Sequence, residues 1–288
     1  MDIARAQIAG SACTCLYDQP GSVRLDNATS VKLITGGPGS ISNALLAQFD
    51  DINMLAFQGT ITEFVGGSES RAIESVLDWI DNLKIESDSL FGCPGLVHKG
   101  FGEQFGYVAD DVVRAVESLS RRQQDKPLCV TGHSQGGAIA VLATGFLQEK
   151  GVVVSETYTF ASPLCADEEF IDSILTPVNR FEFGCDIVPH VPLSPAVSKI
   201  LRENVALWPL SGSVRSVVDS MLAHANVAMD YKSAGVLFYS REYRQAFKEY
   251  SDPYRESSLY ADRLFRLLFN ATRMVEDHRL NHYLDSLV

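Results

Sequence analysis

The chain has 288 residues, 46% of them hydrophobic, and its 36 acidic and 24 basic residues give a formal charge of −12. This length and composition suffice for one full-sized core, and we predict a single domain over residues 1–288. The negative charge argues against nucleic acid as a partner and against tight adhesion to an anionic membrane surface. No run of 18 apolar residues occurs, so we expect no transmembrane segment.

The first residues do not resemble a secretory leader. Asp2 is acidic, and the apolar stretch behind it is short and interrupted. We therefore expect a cytoplasmic protein, or one exported without a recognisable signal peptide. The six cysteines are scattered without a C-x-x-C pair, which favours free, buried thiols over a zinc site.

The first strand of interest follows a helical start. Residues 1–50 predict a helix, a short strand, a glycine-rich turn at 36–39 and a helical or mixed segment to Phe49. Residues 52–57 then form a continuous apolar run, typical of a parallel-sheet strand covered on both faces. It leads into Gln-Gly-Thr, and Thr60 can offer its N–H and hydroxyl to an oxyanion. The same sequence also suits an ordinary strand-terminating turn.

A polar, glycine-bearing segment follows Thr60. It leads into apolar residues at helical spacing: Ile73, Leu77, Ile80 and Leu83. Beside an oxyanion residue, such a segment is either a mobile lid, at about 61–78, or an exposed loop with a helix.

The next region predicts a strand into a turn at 96–101 and one long helix over 105–119. His98 lies within the strand pattern. We interpret it as a hydrogen-bonded structural histidine rather than a catalytic one.

The central motif is Gly-His-Ser-Gln-Gly at 132–136. The β-branched, apolar run at 128–131 predicts a strand before it, and the Ala- and Leu-rich sequence from Ala138 predicts a helix after it. This is the context of the G-x-S-x-G nucleophile elbow, whose glycines allow close backbone approach. Ser134 is therefore the candidate nucleophile, and the amide of Gln135 at the helix N-terminus is a candidate oxyanion donor.

Two further strands are predicted at 152–160 and 179–183, and their alternation with helices is the doubly wound α/β pattern. Asp186 follows the second of them, downstream of Ser134. A hydrolase with the chain order Ser, Asp, His carries its acid in this place, although aspartate is also common in such turns.

A base must come from the histidines downstream of Asp186, which are His190, His224, His278 and His282. His190 is too close to Asp186 along the chain to reach round it, and His224 lies in the middle of a predicted helix. The C-terminal pair is left as candidates. The intervening residues, about 194–270, predict a cap-like insertion rather than a separate domain.

These patterns together resemble the class 3 lipase family, which includes small fungal triacylglycerol lipases. The matching stretches follow the family's order from about 52 to 192, with one more at the C-terminal histidine. They are Ala56-Phe-Gln-Gly-Thr60, Asp78-Trp-Ile-Asp-Asn-Leu83, Val97-His-Lys-Gly-Phe101, Val130-Thr-Gly-His-Ser-Gln-Gly-Gly-Ala138, Thr159-Phe-Ala-Ser-Pro163, Asp186-Ile-Val-Pro-His-Val-Pro192 and His278. The resemblance implies an α/β-hydrolase fold: a mostly parallel central sheet, helices on both faces and a helical insertion before the C-terminal histidine.

The resemblance also implies the roles of the candidate residues. They are Ser134 as nucleophile, Asp186 as orienting acid, His278 as base, and Thr60 with the Gln135 amide as oxyanion hole. In bacterial members the histidine often opens an H-S-x-x-x-Y-L pattern, and His278-Arg-Leu-Asn-His-Tyr-Leu284 matches it with His278, with His282 as its helical neighbour. No metal or cofactor is required.

The chain departs from the family in three places. Gln58 stands where an arginine is usual, which removes a positive charge near the oxyanion strand. The segment after Thr60 is longer than the fungal lid region. The interval of 92 residues between Asp186 and His278 also exceeds the fungal one.

The implied activity is cleavage of carboxylic esters of lipids through an acyl-enzyme, with triacylglycerol lipase first. Phospholipase A1 and short-chain carboxylesterase are the alternatives, since the motifs around the serine do not select the substrate. The expected partner is a lipid or ester at a lipid–water interface. A non-catalytic α/β-hydrolase binding module is the rival from another class, and the presence of every triad residue type counts against it.

Overall fold

The chain folds around a twisted sheet with helices against both faces. The computed structural model describes residues 2–17, 25–40, 42–59, 86–207, 212–225, 230–252 and 276–288, with the single positions 210, 256, 259, 262, 263, 266 and 273.

The bounds of the regular elements in this part of the chain are as follows. The strands are β1 Ser30–Gly36, β2 Ser42–Gln48, β3 Asn53–Phe57, β4 Ser87–Asp88, β5 Val97–His98, β6 Leu128–His133, β7 Glu156–Phe160, β8 Val178–Phe183, β9 Val236–Ser240 and β10 Lys248–Tyr250. The α-helices are α1 Ile3–Cys15, α2 Lys99–Gly106, α3 Ala109–Glu117, α4 Arg121–Gln124, α5 Gln135–Glu149, α6 Glu168–Ser173, α7 Pro195–Asn204, α8 Gly212–Ala225 and α9 Leu280–Leu284. Short 3₁₀ helices occupy Pro38–Ser40, Val188–His190 and Val205–Leu207.

The main sheet has the strand order β1-β2-β3-β6-β7-β8-β9-β10, and β4 and β5 pair separately. The strands from β3 through β6, β7 and β8 to β9 are parallel. The first two strands and the last one add antiparallel edges. Strand β6, which leads into Ser134, therefore lies within the parallel part of the sheet, as the α/β-hydrolase prediction requires.

Neighbouring residues of one strand point into two different cores. On β3, Leu55 and Phe57 join the cluster formed with α2, α3 and α5. Met54 and Ala56 join the cluster on the opposite face, under α1 and α9. Burial on both faces explains the continuous apolar run in the sequence, and the predicted helices on both faces are confirmed.

The segment before Phe49 was predicted to be helical or mixed, and this prediction was wrong. It is β2, hydrogen-bonded to β1 on one side and β3 on the other. Ala44 and Leu46 pack into one core, and Leu45 and Ala47 into the other. Alanine and leucine are good helix formers, but strand pairing and two-sided burial outweigh that weak preference.

The single helix predicted over 105–119 was also wrong, because α2 ends at Gly106 and α3 begins at Ala109. Glycine is a poor helix former in the interior of a helix. The carbonyl of Tyr107 packs against Gly36 at the end of β1, where a Cβ would lie 2.1 Å from that oxygen. The break therefore accommodates a close contact between this turn and the sheet edge.

The described part of the predicted insertion, about 194–270, contains α7 and α8, which pack on the segment after Asp186 through Ile187 and Val188. It also contains β9 and β10, which belong to the main sheet. The predicted lid at about 61–78 lies outside the described residues, so the division of the chain into lid, insertion and single domain stays a prediction. Among the described helices, none combines the length and the apolar character that spanning a membrane takes.

Candidate active site

The turn between β6 and α5 holds Ser134 in a strained backbone conformation, with φ 58° and ψ −132°. A Cβ on Gly132 would lie 1.9 Å from the Gly136 carbonyl oxygen, and a Cβ on Gly136 would lie 2.2 Å from the Phe57 carbonyl oxygen. Neither position can hold a larger residue without a shift of backbone. The Ser134 N–H donates to the Phe160 carbonyl at 2.8 Å, which ties the turn to β7.

The structure brings Ser134, His278 and Asp186 into one hydrogen-bonded chain. His278 Nε2 lies 2.9 Å from Ser134 Oγ, and His278 Nδ1 lies 2.9 Å from Asp186 Oδ2. All three side chains are buried. Since the Asp186 carboxylate accepts the Nδ1–H, Nε2 of the neutral ring is left to accept the Ser134 hydroxyl proton.

Asp186 receives two further hydrogen bonds. The Tyr283 hydroxyl donates to Oδ2 at 2.6 Å, and the Val188 N–H donates to Oδ1 at 2.9 Å. Burial, with Asp186 next, raises the pKa of Tyr283 well above its ordinary value, so this hydroxyl keeps its proton and remains a donor. These donors fix the carboxylate in the orientation that meets His278.

A second histidine, His133, is hydrogen-bonded to the backbone of His278. Its Nε2 lies 2.9 Å from the His278 carbonyl oxygen, and its Nδ1 lies 2.8 Å from the Tyr17 hydroxyl. A carbonyl only accepts, so Nε2 carries the proton, and Nδ1 accepts from Tyr17. Burial, followed by the charge of His278, lowers the pKa of His133 well below its ordinary value. His133 therefore stays neutral beside the base.

Gln58, which stands where the family usually has arginine, has a defined set of partners. Its side-chain amide donates to the Leu16 carbonyl at 2.6 Å, and its oxygen accepts from the Asn43 side chain. This neutral pairing joins the end of α1 to β2 beside the oxyanion strand. It holds the neighbouring Tyr17 over Gly59, where a Cβ would lie 2.3 Å from the hydroxyl oxygen.

One of the two candidate oxyanion donors lies within the described residues. The backbone of Gln135 begins the 15-residue helix α5, so its N–H belongs to the positive end of that helix. Close packing of Gly136 against Phe57 and Gly59 places this helix end beside the end of β3. Thr60, the other candidate, lies outside the described residues.

The remaining histidines lie in other settings. His98 is buried, stacks on Phe101 at 4.1 Å between ring centroids and accepts from the Phe101 N–H. Burial lowers its pKa to about 4, and these contacts agree with its interpretation as structural. His282 lies beside Asp277, with 4.0 Å between Nδ1 and Oδ1, whereas His278 is the ring that contacts Ser134. Within the described residues, no group of three or more histidine, cysteine or acidic side chains is arranged to hold a metal ion.

Sequence reasoning did not give Tyr17, His133, Asp277 or Tyr283 a place in the site. The signal for Tyr283 was present, because the Tyr-Leu pair belongs to the family pattern that selects His278. His133 occupies a variable position of the elbow motif, and its partners are 116 and 145 residues away. No local pattern indicates contacts of that range.

The fold and the tight turn after β6 define a class: a protein of the α/β-hydrolase fold with a nucleophile elbow. Comparison with known sequences shows a similarity to one family over part of the chain. The profile of the lipase (class 3) family matches residues 67–195. Over these residues, which are less than half of the chain, the protein is similar to that family.

Several fungal lipases are similar to part of this chain. A lipase of Rhizomucor miehei is 32% identical over 155 residues, which are 51% of this chain and 42% of that protein. Secreted mono- and diacylglycerol lipase A of Penicillium cyclopium is 30% identical over 126 residues, 43% of this chain and 41% of that protein. The chain thus spans about two fifths of the length of these relatives.

Solved structures extend the likeness beyond the matched sequence. The triacylglyceride lipase of Rhizomucor miehei has a TM-score of 0.56 at 22% identity and covers 83% of this chain and 79% of its own. A triacylglycerol lipase of Penicillium expansum has a TM-score of 0.60 at 16% identity, with 87% and 83% covered. At this level of identity the comparison establishes the fold, and the predicted α/β-hydrolase architecture is confirmed.

Proposed function

We propose that the protein is a serine carboxylic-ester hydrolase of the triacylglycerol lipase type, with Ser134 as nucleophile, His278 as base and Asp186 as orienting acid. The observation that carries this proposal is the continuous hydrogen-bonded chain from Ser134 Oγ through His278 to Asp186. Its position at the end of β6, beside the start of α5, suits attack on a carbonyl group.

In the first half-reaction His278 Nε2 takes the hydroxyl proton as Ser134 Oγ bonds to the ester carbonyl carbon. The carbonyl oxygen becomes an oxyanion in the tetrahedral intermediate. Collapse breaks the carbon–alkoxy bond, and the leaving alcohol takes the proton from His278. The acyl group remains on Ser134 as an ester.

In the second half-reaction His278 takes a proton from water as the water oxygen attacks the acyl carbon. Collapse of this intermediate releases the fatty acid and returns the proton to Ser134. Asp186 holds the imidazole tautomer throughout and stabilises the imidazolium. Tyr283 and the Val188 N–H support that carboxylate from the far side.

For the oxyanion, we assign the Gln135 N–H and the N–H and hydroxyl of Thr60. The assignment of Gln135 is supported by its position at the first turn of α5, at the positive end of that helix. The assignment of Thr60 rests on its place directly after Gly59 and on the family motif.

The substrate class follows from the relatives, which are named as lipases and as mono- and diacylglycerol lipases. We place lipid esters at a lipid–water interface first, with residues 61–78 as the lid and α7 and α8 as part of the insertion. Phospholipids and short soluble esters are the alternatives. The Penicillium and Fusarium relatives are named as secreted, which favours export over a cytoplasmic location.

The test compares hydrolysis of p-nitrophenyl esters of two to sixteen carbons, emulsified triglyceride and phosphatidylcholine vesicles. Wild type is measured beside Ser134→Ala and the control Ser118→Ala, a residue directly after α3 whose hydroxyl donates to the Ala115 carbonyl. We expect Ser134→Ala to lose activity by about 10⁴-fold or more and the control to keep it. Near wild-type turnover by folded Ser134→Ala would refute the nucleophile.

The same measurements separate the substrate classes. A rate that favours long chains and rises once the ester exceeds its solubility indicates a lipase with a working lid. Activity confined to short soluble esters indicates a carboxylesterase, and release of fatty acid from vesicles alone indicates a phospholipase. Absence of hydrolysis on every substrate would support the binding-module alternative.

A further inference from the structure

Two pairs of consecutive residues face each other across the proposed site. Cys185 and Asp186 lie on the loop after β8, and Asp277 and His278 lie just before α9. His278 Nδ1 lies 2.9 Å from Asp186 Oδ2, and the Cys185 N–H donates to Asp277 Oδ2 at 2.7 Å. The loop of the acid and the loop of the base are therefore joined by two hydrogen bonds, one between Asp186 and His278 and one between Cys185 and Asp277.

The carboxylate of Asp277 occupies space that only glycine leaves free. Gly184 has a φ of +50°, and a Cβ there would lie 2.1 Å from Asp277 Oδ2. From the other side, the Gly184 N–H donates to the Ser240 carbonyl at 2.8 Å, and its own carbonyl accepts from the Tyr239 hydroxyl at 2.8 Å. The turn before Asp186 is thus held by β9 on one side and by Asp277 on the other.

Charge strengthens this contact. Asp277 is 2% exposed, and the Arg273 guanidinium lies 3.3 Å from its Oδ2. Arg273 also pairs with Glu242, and His282 lies 4.0 Å from the Asp277 carboxylate. Burial raises the pKa of Asp277 to about 6, against the lowering effect of the Cys185 N–H and of Arg273. At neutral pH the carboxylate is charged, and an N–H bond to a charged acceptor is stronger than one to a neutral acceptor.

We propose that Asp277 is a positioning residue, whose carboxylate binds the Cys185 N–H and so fixes the spacing between the loops that carry Asp186 and His278. The proposal deepens the function proposed above and rests on it. His278 must meet Asp186 and Ser134 at the same time, and a misplacement of about 1 Å costs on the order of 10²-fold in rate. A second link, one residue away from the Asp186–His278 contact, restricts that movement.

The test uses Asp277→Ala, which removes the link, and Asp277→Asn, which keeps an oxygen that can accept the Cys185 N–H but loses the charge. Glu276→Ala is the matched control, because it removes a carboxylate one residue away at an exposed position. Three quantities are measured: kcat and KM on p-nitrophenyl butyrate, the thermal unfolding midpoint, and the low-field proton resonance of the His278 Nδ1–H.

For Asp277→Ala we expect kcat to fall by about 30- to 100-fold with KM within about twofold of wild type. The low-field resonance broadens or disappears, because the Nδ1–H exchanges with water once its geometry loosens. Asp277→Asn keeps the resonance and recovers most of kcat. Glu276→Ala matches wild type in all three quantities.

A folded Asp277→Ala protein with wild-type kcat and an unchanged low-field resonance overturns the proposal. If that variant does not fold, Gly184→Ala decides, because its Cβ displaces the same carboxylate. It should reproduce the loss of kcat, and wild-type kcat in folded Gly184→Ala overturns the proposal. If wild type hydrolyses no ester, or Ser134→Ala remains active, the proposed function fails. The resonance then still shows whether Asp277 holds His278 against Asp186.

Discussion

The elbow after β6 and the loop after β8 both place a side chain at the same end of the sheet, but they are held in different ways. The elbow is held by close backbone contacts, within the turn at Gly132 and with the end of β3 at Gly136, that any Cβ would block. The loop of Asp186 is held by side chains from distant parts of the chain, above all Tyr283 and Asp277. The position of the nucleophile therefore depends on backbone packing around a local sequence motif, whereas the positions of the acid and the base depend on side-chain hydrogen bonds between distant parts of the chain.

The largest expected effect separates the two C-terminal histidines. We expect His278→Ala to reduce kcat by about 10³- to 10⁴-fold, because no other described side chain contacts Ser134 Oγ as a base. His282→Ala should lose less than about tenfold, since that ring packs on Tyr243 and Phe183. The check is single-substrate kinetics on purified variants with matched unfolding midpoints. The reverse ranking would mean that His282, and not His278, is the base.

Next in size is a change in the elbow itself. Gly132→Ala places a Cβ 1.9 Å from the Gly136 carbonyl oxygen, so the strand and the helix must separate. We expect a loss of about 2 to 4 kcal/mol in the free energy of unfolding, together with loss of activity. Gly212→Ala is the control, because a Cβ there meets no atom within 4 Å. Denaturant unfolding measures both, and equal midpoints would contradict the backbone account of the elbow.

The smallest effect concerns the pH dependence of stability, and its sign differs between the two regions. At the elbow, the pKa of His133 is lowered by burial, so the unfolded chain binds a proton there below about pH 6.5 and the folded chain does not. Stability from this residue is lost as the pH falls through that value.

At the acid–base loops the sign is opposite. Burial raises the pKa of Asp277 to about 6 from 3.8, so the folded state binds the extra proton and gains stability as the pH falls from about 6 to 4. The charged and titratable groups that face Asp277 are Arg273, His282, Cys185 and Asp186. The contribution is on the order of 1 to 3 kcal/mol.

Unfolding midpoints of wild type, Asp277→Asn and His133→Gln between pH 4.5 and 7.5 test both signs. Relative to wild type, Asp277→Asn should gain stability as the pH rises to about 6 and then stay level. His133→Gln should gain relative stability as the pH falls below about 6.5. If the difference in stability between a variant and wild type does not change with pH, the assigned direction of that residue's pKa shift is wrong.

The same contrast explains what the sequence could predict. The elbow, the buried strand β3 and the end of β8 are local patterns, and each was predicted close to its observed place. Strand β2 was missed because its alanines and leucines carry helix propensity, and only pairing with β1 and β3 makes it a strand.

The supporting contacts of the site were beyond sequence reasoning for a related reason. Asp277 meets Cys185 across 92 residues, and Tyr283 meets Asp186 across 97. Hydrogen bonds of this kind leave no periodicity and no fixed spacing in the sequence. The choice of His278 over His282 came from the family pattern, and the structure places His278 against Ser134.

The packing of α1 against α9 has a consequence for the order of synthesis. Gln7 donates to the Leu287 carbonyl at 2.8 Å, and Gly10 leaves room for Leu284, so two segments about 280 residues apart in the chain meet. The Tyr17 hydroxyl, just after α1, donates to His133, and the other ring nitrogen of His133 donates to the His278 carbonyl. We therefore expect no hydrolytic activity from nascent chains that have not yet released residues 276–288, however well their elbow has formed.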